Sequence, residues 1–193
     1  FIDRSIDSLH SYSYSVRAMN GEHARQASES ASIQPVVELM DDRDPRVQYG
    51  PAFHNWDDAD LFAGSEKYAD LTVDSYSDND ATARITFNGR GIEIYGLKSS
   101  ELGLAEVQID GKKVGDLDFH TSGETEKSAL IGRFTGLPDG EHLLTLTVKK
   151  DHLNRGNERS KISIDYFKIY PGQGATVEKM DDRDSRIHYG SLF

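Results

Sequence analysis

Residues 81–95, which read ATARITFNGRGIEIY, carry a clear secondary-structure signal. Apolar residues alternate with polar ones from Ala81 to Phe87, and Ile92 and Ile94 resume the alternation after the turn-like segment 88–91. A period of two is typical of a half-buried strand, and an Asn-Gly pair between two such segments favours a tight turn. We therefore predict a β-hairpin with its turn at residues 88–91.

The same alternation recurs further along the chain. Residues 105–109 alternate before Asp110-Gly111, residues 144–148 alternate after Pro138-Asp139-Gly140, and no segment shows a sustained helical period. Short strands at intervals of about ten residues, with turn residues between them, are typical of an antiparallel sandwich. We therefore predict an all-β fold, an antiparallel β-sandwich or jelly roll, over residues 36–171.

A tandem repeat defines the domain boundaries. Residues 36–53 (VVELMDDRDPRVQYGPAF) recur as residues 176–193 (TVEKMDDRDSRIHYGSLF) at an offset of 140, with 11 of 18 positions identical. We predict one complete unit at 36–171, followed at 172–193 by a linker and the truncated start of a second copy. The chain begins with Phe1 rather than Met, and we expect it to be a piece of a longer polypeptide.

Composition excludes several classes of partner. The chain has 33 acidic and 22 basic residues among 193, a net charge of −11, and a field of that sign repels nucleic acid. No apolar stretch approaches the roughly 18 residues of a spanning helix, so we predict no membrane insertion. With no cysteine, the chain has neither disulfides nor thiolate chemistry.

Catalytic motifs are absent from the sequence. It contains no G-x-S-x-G, no H-E-x-x-H and no phosphate-binding loop, and its seven histidines show no short metal-binding spacing. We predict that the chain is not itself an enzyme.

Candidate ligand-binding residues lie in the longer connections between strands. If the strands run up and down, the tight turns share one end of the sandwich, and the connections 75–80, 97–103, 120–127 and 151–160 share the other. Binding groups concentrate in long loops on a rigid scaffold, and the ring of the single tryptophan would stack on a sugar if its face is exposed. Ordinary solvated loops and a core tryptophan are the structural alternatives. The candidates are Trp56, Tyr76, Ser99, Glu101, His120, His152, Asn154, Arg155 and Asn157.

An acidic cluster, Asp41-Asp42-Arg43-Asp44, occurs in both copies of the repeat. Carboxylates this close, with loop carbonyls nearby, can supply the hard oxygens that calcium prefers. An ion pair inside the cluster, or capping of backbone N–H groups, would explain the same residues without a metal.

The motifs of residues 36–170 resemble those of a known family. The matches are D-D-x-D-x-R-h-x-Y-G (41–50), F-x-G-[ST]-E-x-Y (62–68), F-x-G-x-G-I-x-[IV]-Y-G (87–96), A-E-V-x-I-D-G (105–111), G-L-P-D-G-x-H (136–142) and I-D-Y-F-x-I (164–169). In this order they resemble a galactose-binding-like jelly roll, the carbohydrate-binding module of family 6, 35 and 32 type found in multimodular secreted bacterial enzymes.

This resemblance implies a function. It implies a non-catalytic module that targets a secreted or cell-surface bacterial glycoside hydrolase, or a similar enzyme, to a galactoside, N-acetylhexosamine or uronic-acid glycan. Neighbouring modules of the same polypeptide would be its other contacts. The alternative is a structural spacer or protein-adhesion module that binds no sugar.

The resemblance also implies a structural calcium ion. Such modules often hold it between an acidic residue near the first strand and an Asp in the last. Asp165 fits the last-strand position, and its partner is left open among Glu38, Asp41 and Asp42.

Residues 1–35 have a separate character. Alternation from Tyr12 to Ala18 predicts a strand, and Asn20-Gly21 predicts a turn into a final strand. Leu9 three residues before Tyr12, followed by Y-x-V-x-A-x-N at 14–20, resembles the end of a fibronectin type III domain. We expect residues 1–35 to be the C-terminal part of such a domain.

Overall fold

The computed structural model describes residues 37–71, 76–149 and 160–172, together with four short strands between residues 12 and 33. The strands in these parts of the chain are β1 (Tyr12–Tyr14), β2 (Arg17–Asn20), β3 (His23–Ala27), β4 (Ala31–Ile33), β5 (Glu38–Asp41), β6 (Val47–Tyr49), β7 (Phe53–Asp57), β8 (Ser65–Asp70), β9 (Thr82–Lys98), β10 (Leu104–Ile109), β11 (Lys112–Asp118), β12 (Glu126–Val148), β13 (Lys161–Ile164) and β14 (Tyr166–Tyr170).

Every pairing between these strands is antiparallel, which confirms the all-β prediction. The helical elements in the described ranges are two 3₁₀ turns, Phe62–Gly64 and Asp78–Ala81. Neither turn has the length or apolar character needed to cross a membrane.

The strands between residues 12 and 33 form two pairs, β1 with β4 and β2 with β3. Asn20 lies opposite His23, and residues 21 and 22, where the turn is predicted, lie outside the described residues. The fibronectin type III assignment stays a prediction. The second copy of the repeat, residues 176–193, lies outside the described residues.

Two long strands, β9 and β12, pair with each other from Thr82 opposite Thr147 to Lys98 opposite Glu126. The predicted hairpin at residues 88–91 is therefore wrong, because these residues lie inside β9. A Cβ on Gly89 would lie 2.4 Å from the Tyr170 carbonyl oxygen, and neither Gly89 nor Gly91 has a positive φ. The glycines allow a close backbone approach and do not form a turn.

Strand β9 changes its buried face along its length. Before residue 88 the odd positions Ala83, Ile85 and Phe87 are buried, whereas after it the even positions Ile92 and Ile94 are buried. All five belong to one hydrophobic core. The first half of β9 pairs with β6, and the second half with β14. The inward face thus changes at residues 88–91, within the seven-stranded sheet that contains all of β9.

The Asp110-Gly111 turn lies at one end of the sandwich, beside residues 137–140 of β12 and residues 88–91 of β9. His142 Nδ1 lies 2.7 Å from Asp110 Oδ2, and His142 Nε2 lies 2.9 Å from the Pro138 carbonyl oxygen. Gly140 pairs with Gly89 at the same end. Asp110 and Gly111 have φ values of +53° and +75°, as a two-residue hairpin turn requires.

The long connections share the opposite end. Ser99 forms a bridge to His120, and the Lys149 N–H donates to the Leu104 carbonyl oxygen. The prediction holds for the Asp110-Gly111 turn and for the described connections 97–103 and 120–127, but residues 88–91 and 137–140 lie inside β9 and β12 and are not connections. Residues 151–159 lie outside them.

The first and last strands of the unit are neighbours. Strand β5 pairs with β14, with Glu38 opposite Ile169 and Asp41 opposite Tyr166. On the other side of β14 lies β9, with Phe167 opposite Ile94. Phe167 is fully buried in the core.

Candidate ligand-binding cleft

An open cleft of about 390 Å³ lies beside the ends of β9 and β12, near the long connections. Its floor and walls come from β7, β8, the connection between them, and the segment that leads into β12. The lining residues are Trp56, Asp58, Leu61, Glu66, Tyr68, Leu97, Thr125 and Lys127.

Strand register brings three of these side chains onto one face. Strand β7 pairs with β8, with Trp56 opposite Glu66 and His54 opposite Tyr68. Because side chains alternate along a strand, Trp56, Glu66 and Tyr68 lie on the same side of this ribbon. The neighbouring position Ala69, on the other face, belongs to the core.

The Trp56 side chain is exposed. It retains 60% of its accessible surface, and it is among the large apolar side chains on the protein surface. The alternative of a core tryptophan does not apply, because a core ring would be covered. A large flat ring in an open cleft has the geometry needed for stacking against the apolar face of a ligand.

Glu66 is the buried carboxylate of the cleft. Its Oε2 accepts a hydrogen bond from Ser163 Oγ, which in turn accepts one from the Leu97 N–H at 3.1 Å. Burial raises the pKa of Glu66 above its usual range, the Ser163 hydrogen bond opposes that shift, and the charges of Asp165 and Asp42 add to it. The cleft therefore holds a carboxylate whose ionised form is poorly stabilised by the protein.

An ion pair closes the other side of the cleft. Lys127 Nζ lies 2.7 Å from Asp58 Oδ2 and 2.9 Å from Asp60 Oδ2. The hydrogen bond from Lys127 lowers the pKa of Asp58, and the two carboxylates raise the pKa of Lys127. These contacts join the β7–β8 connection to the beginning of β12.

Most of the other predicted ligand residues do not line the cleft. Tyr76 is half-buried and packs against the core. Ser99, Glu101 and His120 lie together at the end of the sandwich, where the Glu101 N–H donates to Ser99 Oγ at 3.3 Å. The remaining candidates, His152, Asn154, Arg155 and Asn157, lie outside the described residues.

Sequence reasoning missed Asp58, Glu66, Tyr68 and Lys127 as lining residues. Glu66 and Tyr68 were visible within the motif at 62–68, and Lys127 lies at the end of a predicted long connection. Assigning them to one site required the β7–β8 register, which no local pattern specifies.

The acidic cluster at residues 41–44 contains an ion pair, which was one of the explanations of these residues that needs no metal. Arg43 Nε lies 2.9 Å from Asp41 Oδ1, and Arg43 also donates to the Ala63 carbonyl oxygen. Glu38 lies apart from this pair, because its carboxylate is 2.5 Å from Arg46.

The predicted calcium ligands do not converge into a complete set. Asp41 Oδ2 and Asp42 Oδ2 are buried with no hydrogen-bond partner, as hard donors to a cation would be. Both oxygens of Asp165, however, accept hydrogen bonds, from the Phe62 N–H and from Ser128 Oγ. The described residues contain no group of three acidic or histidine side chains arranged for a metal. The side chains therefore do not supply a calcium site by themselves, and calcium stays a prediction.

Replacing Asp42 by Asn should stabilise the protein at alkaline pH. Burial raises the pKa of Asp42 to about 6, from the value of 3.8 expected in the unfolded chain. Ionisation of Asp42 therefore destabilises the folded state increasingly between these two pH values, and fully above pH 6. The stabilisation is thus largest at pH 8, about 1–3 kcal/mol, and disappears below pH 4. Denaturant unfolding in EDTA at both pH values measures it.

Glu141→Gln, which neutralises an exposed acid, is the control and should change the free energy of unfolding little at either pH. An equal effect of Asp42→Asn at pH 4 and pH 8 would show that burial of the charge is not the cause. Adding calcium tests the metal prediction, because a bound ion would stabilise the unsubstituted chain more than the Asn variant.

The known proteins to which this chain is similar include enzymes that act on carbohydrates. No known protein-family profile matches the chain. The chain is 25% identical over 174 residues to an A type blood α-D-galactosamine galactosaminidase of Flavonifractor plautii, covering 88% of this chain and 14% of that enzyme. It is 26% identical over 112 residues to an A type blood N-acetyl-α-D-galactosamine deacetylase of the same organism, covering 58% of this chain and 13% of that enzyme.

Among solved structures, a two-domain esterase active on acetylated mannans, co-crystallised with mannopentaose, is similar in fold. The TM-score is 0.50 at 16% identity, over 71% of this chain and 37% of the esterase. The chain thus spans about a seventh of the length of the curated relatives it matches, and it is similar to parts of carbohydrate-active enzymes.

Proposed function

We propose that residues 36–171 form a non-catalytic carbohydrate-binding module that targets an exported carbohydrate-active enzyme to glycans. The observation that carries this proposal is the cleft, in which the exposed ring of Trp56 lies across the strand pair from Glu66. An aromatic platform beside a few polar groups is the usual composition of a sugar site. Similarity to segments of a galactosaminidase and a deacetylase supports it.

Catalysis by the cleft carboxylates is the second candidate. The pKa of Glu66 is raised and that of Asp58 is lowered, and divergent carboxyl groups in one cleft also occur in glycosidases. We favour binding because Asp58 is held in an ion pair with Lys127, and because Glu66 Oε2 is hydrogen-bonded to Ser163.

Calorimetry on the full chain against a glycan panel tests the proposal. The panel contains galactosides, N-acetylhexosamines and uronic acids, with calcium present in one series and EDTA in another. We expect weak binding of at least one class, which linked modules of the same polypeptide would reinforce through effective concentration.

The outcomes separate the three candidate functions. Saturable binding without turnover of aryl glycosides supports the module. Silence toward all glycans favours the structural spacer or adhesion function. Turnover that is lost in Glu66→Gln would identify an enzyme.

A further inference from the structure

The charge of the cleft is the observation from which its ligand class can be inferred. Among the lining residues, Lys127 is the one basic side chain, and its ammonium group is within 3 Å of both Asp58 and Asp60. Two carboxylates, those of Asp58 and Glu66, line the cleft, and Asp58 shares Lys127 with Asp60 beside the cleft. The cleft carries a net negative charge that this ion pair does not remove.

Glu66 supplies an acceptor that is not used by the protein. Only 5% of its surface is exposed. Its Oε2 is bonded to Ser163 Oγ, whereas its Oε1 accepts no hydrogen bond from any residue in the described ranges. A nearly buried carboxylate with like charges behind it, those of Asp42 and Asp165, gains more from a cationic partner than from a neutral one.

Trp56 lies opposite Glu66 in the β7–β8 pair and adds a second element of recognition. The face of an exposed indole accepts the C–H side of a sugar ring, and it also attracts a cation. A ligand with an apolar ring face and one ammonium group therefore matches both residues. An N-acetyl group would remove the positive charge, and a uronic acid would place a carboxylate against Asp58 and Glu66.

We propose that the cleft binds a hexosamine with a free, protonated amino group in preference to neutral, N-acetylated or acidic sugars. The preference arises from the Glu66 carboxylate beside the Trp56 ring. This inference rests on the proposed function, because it assigns the substrate class of the same cleft.

Calorimetric titration at pH 6.5 with galactosamine, galactose, N-acetylgalactosamine and galacturonic acid tests the preference. We expect galactosamine to bind at least tenfold more tightly than the other three, and the difference to shrink in 0.5 M NaCl, because salt screens charge attraction. The salt series needs no variant and is independent of folding effects.

Two substitutions then locate the effect. Glu66→Gln should reduce the preference for galactosamine over galactose from at least tenfold to less than about twofold, whatever its effect on the affinity for galactose itself. Glu141→Gln neutralises an exposed acid that does not line the cleft, and it should preserve the preference. Thermal unfolding of both variants checks that they are folded.

The results distinguish this inference from the broader proposal. Equal affinity for galactose and galactosamine, or preference for galacturonic acid, would overturn the inference and leave sugar binding in place. Binding of ethanolamine as tight as that of galactosamine would overturn it too, because the sugar ring would then play no part. Failure of all four sugars to bind would overturn the inference, whereas the broader proposal falls only if the whole glycan panel is silent.

Discussion

Replacing Trp56 by Ala should weaken glycan binding by at least tenfold, which corresponds to about 1.4 kcal/mol. The exposed indole is the largest apolar surface in the cleft, and aromatic anchors of this kind dominate binding energies. Stability should change little, because the ring is 60% exposed and leaves no cavity when removed. Calorimetry with the best ligand of the panel, together with thermal unfolding, measures both quantities.

Two comparisons make the Trp56 result specific. Val114→Ala removes another exposed apolar side chain, on β11 and away from the cleft, and should leave affinity unchanged. Trp56→Phe keeps an aromatic face and should retain part of the binding. Unaltered affinity in Trp56→Ala would place the sugar elsewhere, and the loop-end residues Ser99, Glu101 and His120 would be the next to substitute.

Replacing Phe167 by Ala should destabilise the fold by about 3–5 kcal/mol, as is typical of a fully buried phenylalanine. Phe167 lies in β14 between Met40 of β5 and Ile94 of β9, and all three side chains are buried. The lost stability has two sources. The buried apolar surface of the ring no longer contributes to folding, and the flanking strands cannot fill the cavity that the ring leaves. Denaturant unfolding measures the free-energy change.

Leu143→Ala is the matched control for Phe167→Ala. Leu143 lies in β12 with 39% of its surface exposed and outside the core, so its removal should cost no more than about 0.5 kcal/mol. A similar small loss in Phe167→Ala would contradict the placement of β14 in the centre of the core.

Much of the fold was predictable because local patterns report local structure. Alternation at 105–109 predicted β10, and Asp110-Gly111 predicted a turn that the positive φ values confirm. Residues 88–91 misled the same reasoning. Glycine is chosen both for turns and for close backbone contact, and only the distant neighbour Tyr170 shows that Gly89 serves the second purpose.

The candidate cleft was less predictable because it depends on strand register. The prediction placed most of the ligand contacts in the long connections. In the structure Trp56, Glu66 and Tyr68 instead lie on the paired strands β7 and β8 and share one face of that pair. Sequence alone identified Trp56 as a candidate platform. It does not reveal that Glu66 is its cross-strand partner, since that pairing depends on the length and path of residues 58–64.

The pairing of Glu38 with Ile169 means that the polypeptide arrives at and departs from the jelly roll side by side, beside the tight turns. Tension applied through the flanking polypeptide would act first on this outermost pair and would unzip β5 from β14 one hydrogen bond at a time, because ladder bonds run across the strands. The two ends of this unit lie at the opposite pole from Leu97 and Lys127, which line the cleft.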